Sequence, residues 1–186
     1  YEKVSKNELS KKKKYTNYLL YVGNRSGYKN FNSLVSAFVK SEKLKKDFKV
    51  FVFGGEKPSI CGKEIIKNTK LPAGTFNFIS GTNEDLKFLY KNVRALIYTS
   101  SYEGFGIPLL ECIYFNKPII CSDIPVFREI GNNYPNFFNL DNINELKSYL
   151  ELIKCGGKLK RGSNEDVLNK YSWINCSKVI FNKLQS

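Results

Sequence analysis

The sequence contains no histidine and no methionine. Without an imidazole there is no Ser-His-Asp or Cys-His machinery, and the commonest metal ligand is missing. The five cysteines (Cys61, Cys112, Cys121, Cys155 and Cys176) are odd in number and form no C-x-x-C pair. They predict reduced, mostly buried thiols in a cytoplasmic protein, not a disulfide framework or a zinc site. No apolar run reaches the ~18 residues of a membrane-spanning helix, and the polar start is unlike a secretory signal. A chain that lacks methionine and begins on Tyr1 is expected to be a piece of a longer protein.

What is present is ordinary globular material: 186 residues, 42% hydrophobic and 25% charged. This suits a single domain with a substantial core. The net charge of +13 permits nucleic acid, an anionic membrane or a phosphorylated ligand as partner, and does not choose among them. Residues 1–17 are basic, with a lysine run from Lys11 to Lys14. They read as a linker or peripheral segment, with a polybasic contact at the inner face of a membrane as the sharper alternative.

From Tyr18 onward, short apolar runs rich in β-formers recur at Tyr18–Gly23, Phe48–Gly54, Phe76–Ser80, Ala95–Ser100, Pro118–Ser122 and Asn136–Asn139. Near-continuous apolarity predicts strands buried on both faces, as in a parallel sheet. Helical patterns lie between them. Phe31, Leu34, Val35, Phe38 and Val39 form one stripe. Thr82 or Asn83 opens a second helix through Leu86, Leu89 and Tyr90. From about residue 142 two or three helices follow, the first broken at Gly156 and Gly157, the last capped by Ser172. The fold class is therefore α/β, a doubly wound parallel sheet of about six strands with helices on both faces and further helices at the C-terminus. Such sheets bind ligands beyond the carboxyl ends of their strands.

Two of those ends stand out. After the first strand, Gly23-Asn24-Arg25-Ser26-Gly27-Tyr28-Lys29-Asn30 puts glycines and two cations ahead of a helix N-terminus, a combination suited to an anion such as a diphosphate. It is neither a dinucleotide fingerprint nor a Walker loop. After the fourth strand comes Ser100-Ser101-Tyr102-Glu103-Gly104-Phe105-Gly106-Ile107-Pro108-Leu109-Leu110-Glu111. Pro108 suits a first helical turn, and the helix that follows reads as apolar nearly all round and hence buried. Glu111 inside it needs partners, since a buried carboxylate without hydrogen bonds costs several kcal/mol. A protein group could supply them; so could paired hydroxyls of a ligand.

The segment E-G-F-G-I-P-L-L-E, followed by N-K-P-I-I-C-S-D-I-P-V-F-R-E-I-G, resembles the E-x7-E signature of the family 4 retaining glycosyltransferases. Y-V-G-N-R-S-G-Y-K-N-F is similar to that family's donor-phosphate segment, and I-S-G-T-N-E-D-L-K-F-L-Y to its nucleotide-binding loop. The resemblance runs from about Tyr18 to Leu184 and implies a Rossmann-like domain, the C-terminal, donor-binding half of a GT-B fold, with residues 18–186 as that domain and the N-terminal acceptor domain outside the chain.

Carried over by position, the resemblance assigns Arg25 and Lys29 to the diphosphate of a GDP- or UDP-linked sugar donor. It assigns Glu111 to the ribose, Glu103 to the transferred hexose, and the backbone of Gly104, Phe105, Gly106 and Ile107 to the sugar or β-phosphate. Gly81 and Thr82 fall near the base, and Glu129 takes an acidic position without a firm role. It implies no metal and no other cofactor, with Arg25, Lys29 and helix termini taking up the leaving-group charge. The acceptor would be a hydroxyl of a glycan or lipid-linked glycan in surface polysaccharide or glycolipid synthesis, reached through the missing domain. A GT-B nucleotide-sugar epimerase and, in another class, a basic nucleic-acid-binding module are the competing readings. The module is disfavoured because Tyr18 and Tyr21 fall within a buried strand.

Overall fold

The computed structural model describes residues 2–3, 17–45, 48–55 and 66–172. Its strands are β1 (Glu2–Lys3), β2 (Tyr18–Val22), β3 (Lys49–Phe53), β4 (Phe76–Ser80), β5 (Ala95–Tyr98), β6 (Ile119–Ser122) and β7 (Asn136–Phe138). The helices are α1 (Phe31–Val39), α2 (Asn83–Asn92), α3 (Ile107–Tyr114), α4 (Pro125–Gly131), α5 (Ile143–Lys154) and α6 (Asn164–Lys170). All six expected strands are present, each trimmed by at most a residue or two, and a two-residue strand at the edge is added. They make one sheet in the order β1-β4-β3-β2-β5-β6-β7, with every pair parallel.

Parallel strands leave their side chains to be covered on both sides, and the core divides accordingly. Along β2, Leu19 and Tyr21 face a cluster with Phe31, Leu34 and Phe38 of α1 and Leu146, Leu150 and Ile153 of α5. Tyr18 and Leu20 face the opposite cluster, with Leu89 and Tyr90 of α2, Leu109, Cys112 and Ile113 of α3, and Phe127 of α4. Tyr18 lies wholly buried with its hydroxyl donating to the Leu89 carbonyl at 2.7 Å, so the phenol's polar end is satisfied. Both Tyr18 and Tyr21 are structural, as their place in the strand predicts.

Two expectations need correction. Val39 is 40% exposed, because it lies at the edge of the α1 stripe and at the helix end. Helix α3 is not buried all round: Ile107 and Tyr114 are 61% and 67% exposed and Leu110 and Glu111 are half-buried, a solvent-facing stripe at i, i+3, i+4 and i+7. Of the three described cysteines, Cys112 and Cys121 are buried, in keeping with mostly buried thiols, and Cys155 is exposed at the C-cap of α5. Helix α6, capped by the Ser163 hydroxyl, is one of the two or three helices expected after about residue 142. The Lys11–Lys14 run, Cys61, Cys176 and the helix expected after Ser172 lie outside the described residues.

Reading along the sheet, the chain order reverses between β2 and β5. β3 and β4 are added on one side and β6 and β7 on the other. This reversal sets the loops after β2 and β5 side by side at the carboxyl edge, the switch point where sheets of this kind meet their ligands.

The Phe31 ring makes edge contacts with Tyr21 at 5.0 Å and Phe76 at 5.6 Å, joining α1 to two strands, β2 and β4. Phe31→Ala is expected to cost about 3–5 kcal/mol of unfolding free energy, measured by urea titration.

Candidate functional site

The two loops at the switch point are bolted together by hydroxyls. The Thr99 side chain donates to the carbonyls of Lys29 at 2.9 Å and Asn30 at 3.0 Å. The Tyr21 hydroxyl donates to the Asn24 and Lys29 carbonyls at 2.9 and 3.0 Å, and the Ser101 amide donates to the Tyr28 carbonyl at 2.7 Å. Gly23 takes a positive φ of 121°, which lets the chain turn away from β2.

This frame brings Lys29 and Glu103 together. The Lys29 ammonium lies 2.6 Å from Glu103 Oε1, and the two side chains are only 14% and 10% exposed. Ser100 donates to the same oxygen at 2.6 Å, and Ser122 in turn donates to the Ser100 carbonyl. The ammonium also stands 5.2 Å above the Tyr98 ring and 5.4 Å from that of Tyr28, with the Tyr98 hydroxyl at 3.5 Å. Burial, with Glu103 adding to it, pushes the Tyr98 phenol above its ordinary range, so it stays neutral. No sequence motif singles out Tyr98 and Ser100, although both lie at the end of the strand that leads into Glu103.

Arg25 sits on the other flank. Its Nη1 donates to the Gly54 carbonyl at 2.7 Å, and its guanidinium lies 5.4 Å from the Phe78 ring. Gly55 is required there: a Cβ would stand 2.9 Å from Asn24 Oδ1 and 3.1 Å from Arg25 Nη1.

The turn Gly104–Ile107 ends on Gly106, the left-handed N-cap of α3 with φ 86°. A Cβ on Gly106 would meet the Phe127 ring at 3.0 Å, and Phe127 also packs on Tyr98 at 4.6 Å. Pro108 lies in the first turn, as its lack of an N–H predicts, and the Leu109 amide donates to the Gly106 carbonyl at 2.9 Å. Thr82 is the N-cap of α2: its hydroxyl accepts from the Asp85 amide at 3.3 Å, and its amide donates to Asp85 Oδ2 at 2.8 Å. Gly81 leaves room for that carboxylate, which would lie 2.7 Å from a Cβ. Gly81 and Thr82 therefore have a structural duty in the capping box. Glu129 contributes its carbonyl to the Tyr171 hydroxyl at 3.0 Å, on the far side of α4. At the end of β6, Asp123 is held below the usual carboxylate range by the two hydrogen bonds it accepts from Arg128.

Glu111 is half-buried, and its partner is a protein group: Tyr90 donates to Oε2 at 2.9 Å. The expectation of a fully buried acid is corrected to an acid on the solvent-facing stripe of α3. Burial raises its pKa from the ordinary glutamate value, against the Tyr90 hydrogen bond. It borders a cavity of about 600 Å³ between α2 and α3, lined also by Asn83, Lys87, Leu110 and Tyr114. Glu103 thus joins the cation of the β2 loop, while Glu111 faces a separate cleft beside the α2 N-terminus. Among the described residues no group of three or more Cys, Asp and Glu is placed to hold a metal ion.

The switch point of this doubly wound domain thus carries a cationic turn, an acid and a helix N-terminus within one small region. The chain belongs to the family described as glycosyl transferases group 1, which it matches over residues 3–161. It is 33% identical over 156 residues to the O-antigen chain mannosyltransferase RfbU of Salmonella typhimurium, a match covering 83% of this chain and 42% of that protein. Its fold is shared with S. aureus TarM, solved with UDP, at a TM-score of 0.74, 17% identity, and coverage of 92% of this chain and 36% of that one. Anabaena HepE, solved with UDP-glucose, gives 0.73 and 15%, with 98% and 54% covered. The fold is thus the Rossmann-like α/β unit of GT-B proteins. The chain spans less than two thirds of each of these three proteins.

Two outcomes test this geometry. Gly106→Ala is expected to lose about 1–3 kcal/mol of stability through its backbone conformation, read by thermal unfolding. Because folding raises the Glu111 pKa, the folded chain holds that proton more firmly than the unfolded one. The ionised carboxylate therefore costs stability at neutral pH and nothing below the ordinary glutamate range. Glu111→Gln is expected to raise the unfolding midpoint at pH 7, with the gain vanishing below about pH 4.

Proposed function

We propose that this chain is the donor-binding half of a metal-independent, retaining glycosyltransferase, acting on a nucleoside-diphosphate hexose and a hydroxyl of a surface glycan or glycolipid. The observation that carries this reading is the Lys29–Glu103 pair at the sheet's switch point, beside the N-terminus of α3. On donor binding, Lys29 and Arg25 would take the diphosphate, and the opening amides of α3 would add their dipole. Glu103, released from Lys29, would accept hydrogen bonds from hydroxyls of the transferred sugar. Glu111 and Tyr90 would meet the ribose at the mouth of the α2–α3 cavity, with the base toward Asn83.

Charge grows on the departing diphosphate as the bond to the anomeric carbon breaks. Fixed cations and amides aimed at that position lower the barrier without solvent having to reorganise. The acceptor hydroxyl would attack from the face the nucleotide leaves, so no protein nucleophile is needed and the anomeric configuration is kept. Family membership and the O-antigen mannosyltransferase relative support the transferase reading over the epimerase one. No helix among the described residues is long and apolar enough to cross a membrane. The chain supplies one wall of the cleft, so by itself it would bind nucleotide and turn over poorly.

A thermal-shift series with UDP, GDP and ADP tests the proposal. One nucleotide at 100 times its Kd is expected to add about 2.7 kcal/mol of stability. Lys29→Ala and Glu111→Ala should each abolish most of that shift. No shift with any of the three would overturn the donor reading.

A further inference from the structure

The residues immediately before the two members of the ion pair are both tyrosines, and both point the other way. Lys29 and Glu103 turn inward, while Tyr28 and Tyr102 are 52% and 70% exposed. Their rings meet edge to face, with centroids 6.4 Å apart and planes at 85°. A floor and a wall at right angles make an open corner beside the ion pair.

The corner is held in place from behind. The Ser101 amide and hydroxyl both donate to the Tyr28 carbonyl, at 2.7 and 3.2 Å. Residues 28 and 102 are thereby presented from one cross-linked piece of backbone. The Tyr28 ring is steadied further by the Lys29 ammonium, 5.4 Å from its centre. So large an exposure gives the fold little burial energy in return, yet the pair is preorganised, which lowers the cost of binding something to it.

From this we propose that Tyr28 and Tyr102 form a stacking site for a pyranose ring, the terminal sugar of the acceptor glycan. The proposal rests on the donor reading above and adds the acceptor side to it. A pyranose carries axial C–H groups on one face and hydroxyls round its rim. An aromatic face attracts the partial positive charge of those C–H groups, and tyrosine adds a hydroxyl at its edge. The corner adjoins Glu103, the group assigned to the transferred hexose, so a ring seated there lies beside the reacting sugar. An aliphatic protein segment would leave both tyrosine hydroxyls facing apolar surface; a sugar meets them with its own. The chain's 33% identical relative is by name an O-antigen chain transferase, and such a polymer is made of sugar rings.

Saturation-transfer NMR on the 186-residue chain tests this, with methyl α-mannopyranoside as probe at millimolar concentration and open-chain erythritol as comparison. UDP and GDP binding is measured on the same sample. The pyranoside should receive saturation through its ring C–H protons and erythritol should not. Tyr102→Ala should weaken the response about fivefold or more, and Tyr102→Phe, which keeps the ring, should retain it. An unchanged unfolding midpoint for Tyr102→Ala shows that the loss is not one of folding. Nucleotide binding without any pyranoside response overturns the stacking site and leaves the donor reading standing. A pyranoside response without nucleotide binding does the reverse. Equal responses from wild type, Tyr102→Ala and erythritol also overturn it.

Discussion

A charged pair taken out of water is expensive unless its geometry is close and its spare hydrogen-bonding capacity is filled. Lys29 and Glu103 meet both conditions at 2.6 Å, with Ser100 on the carboxylate and Tyr98 against the ammonium. The pair exists only because β2 and β5 are neighbours in the sheet, so the strand order is itself a condition of the site. Each charge is the other's partner until something with complementary groups replaces it. A diphosphate sugar offers anions to the lysine and hydroxyls to the glutamate at once, so neither charge would be left bare.

Around that pair the construction is hierarchical. Phe127 packs under Tyr98 and also fills the space that makes Gly106 obligatory, so one aromatic side chain sets both the ring beneath the ammonium and the turn ahead of α3. The cleft between α2 and α3 is set differently. Its acid, Glu111, is kept in place by Tyr90 from the facing helix, and that tyrosine's ring stacks on Phe115 at 6.0 Å. Two acids separated by seven residues in sequence thus serve two differently built environments, one salt-bridged and one hydrogen-bonded to a phenol.

The sheet was legible because strands buried on both faces must be apolar almost without interruption, and runs such as YLLYV and KVFVF are. The loops carrying Arg25, Lys29 and Glu103 were legible from glycines, charges and the rule that ligands meet strand ends. The pairing of Lys29 with Glu103, 74 residues apart, was not, since it depends on which strands become neighbours. Nor was the Tyr90 partner of Glu111, on a different helix. Composition misleads at helix α3: Ile107, Leu110 and Tyr114 are apolar, yet their spacing with Glu111 marks one face, and that face is turned to solvent. Gly81 and Thr82 show a motif position filled for folding reasons, with the T-x-x-D cap as the readable signal.

The hydroxyls of Tyr21, Thr99 and Ser101 fasten the main chain of the cationic turn and leave its side chains untouched. The position of the cationic turn is thus set by one buried strand residue, Tyr21, and by two hydroxyls just past the end of β5, whereas the side chains of Tyr102, Phe105 and Ile107 stand exposed and take no part in those bonds. Substitution at those three positions would therefore change the exposed surface of this loop without loosening the turn that carries Arg25 and Lys29.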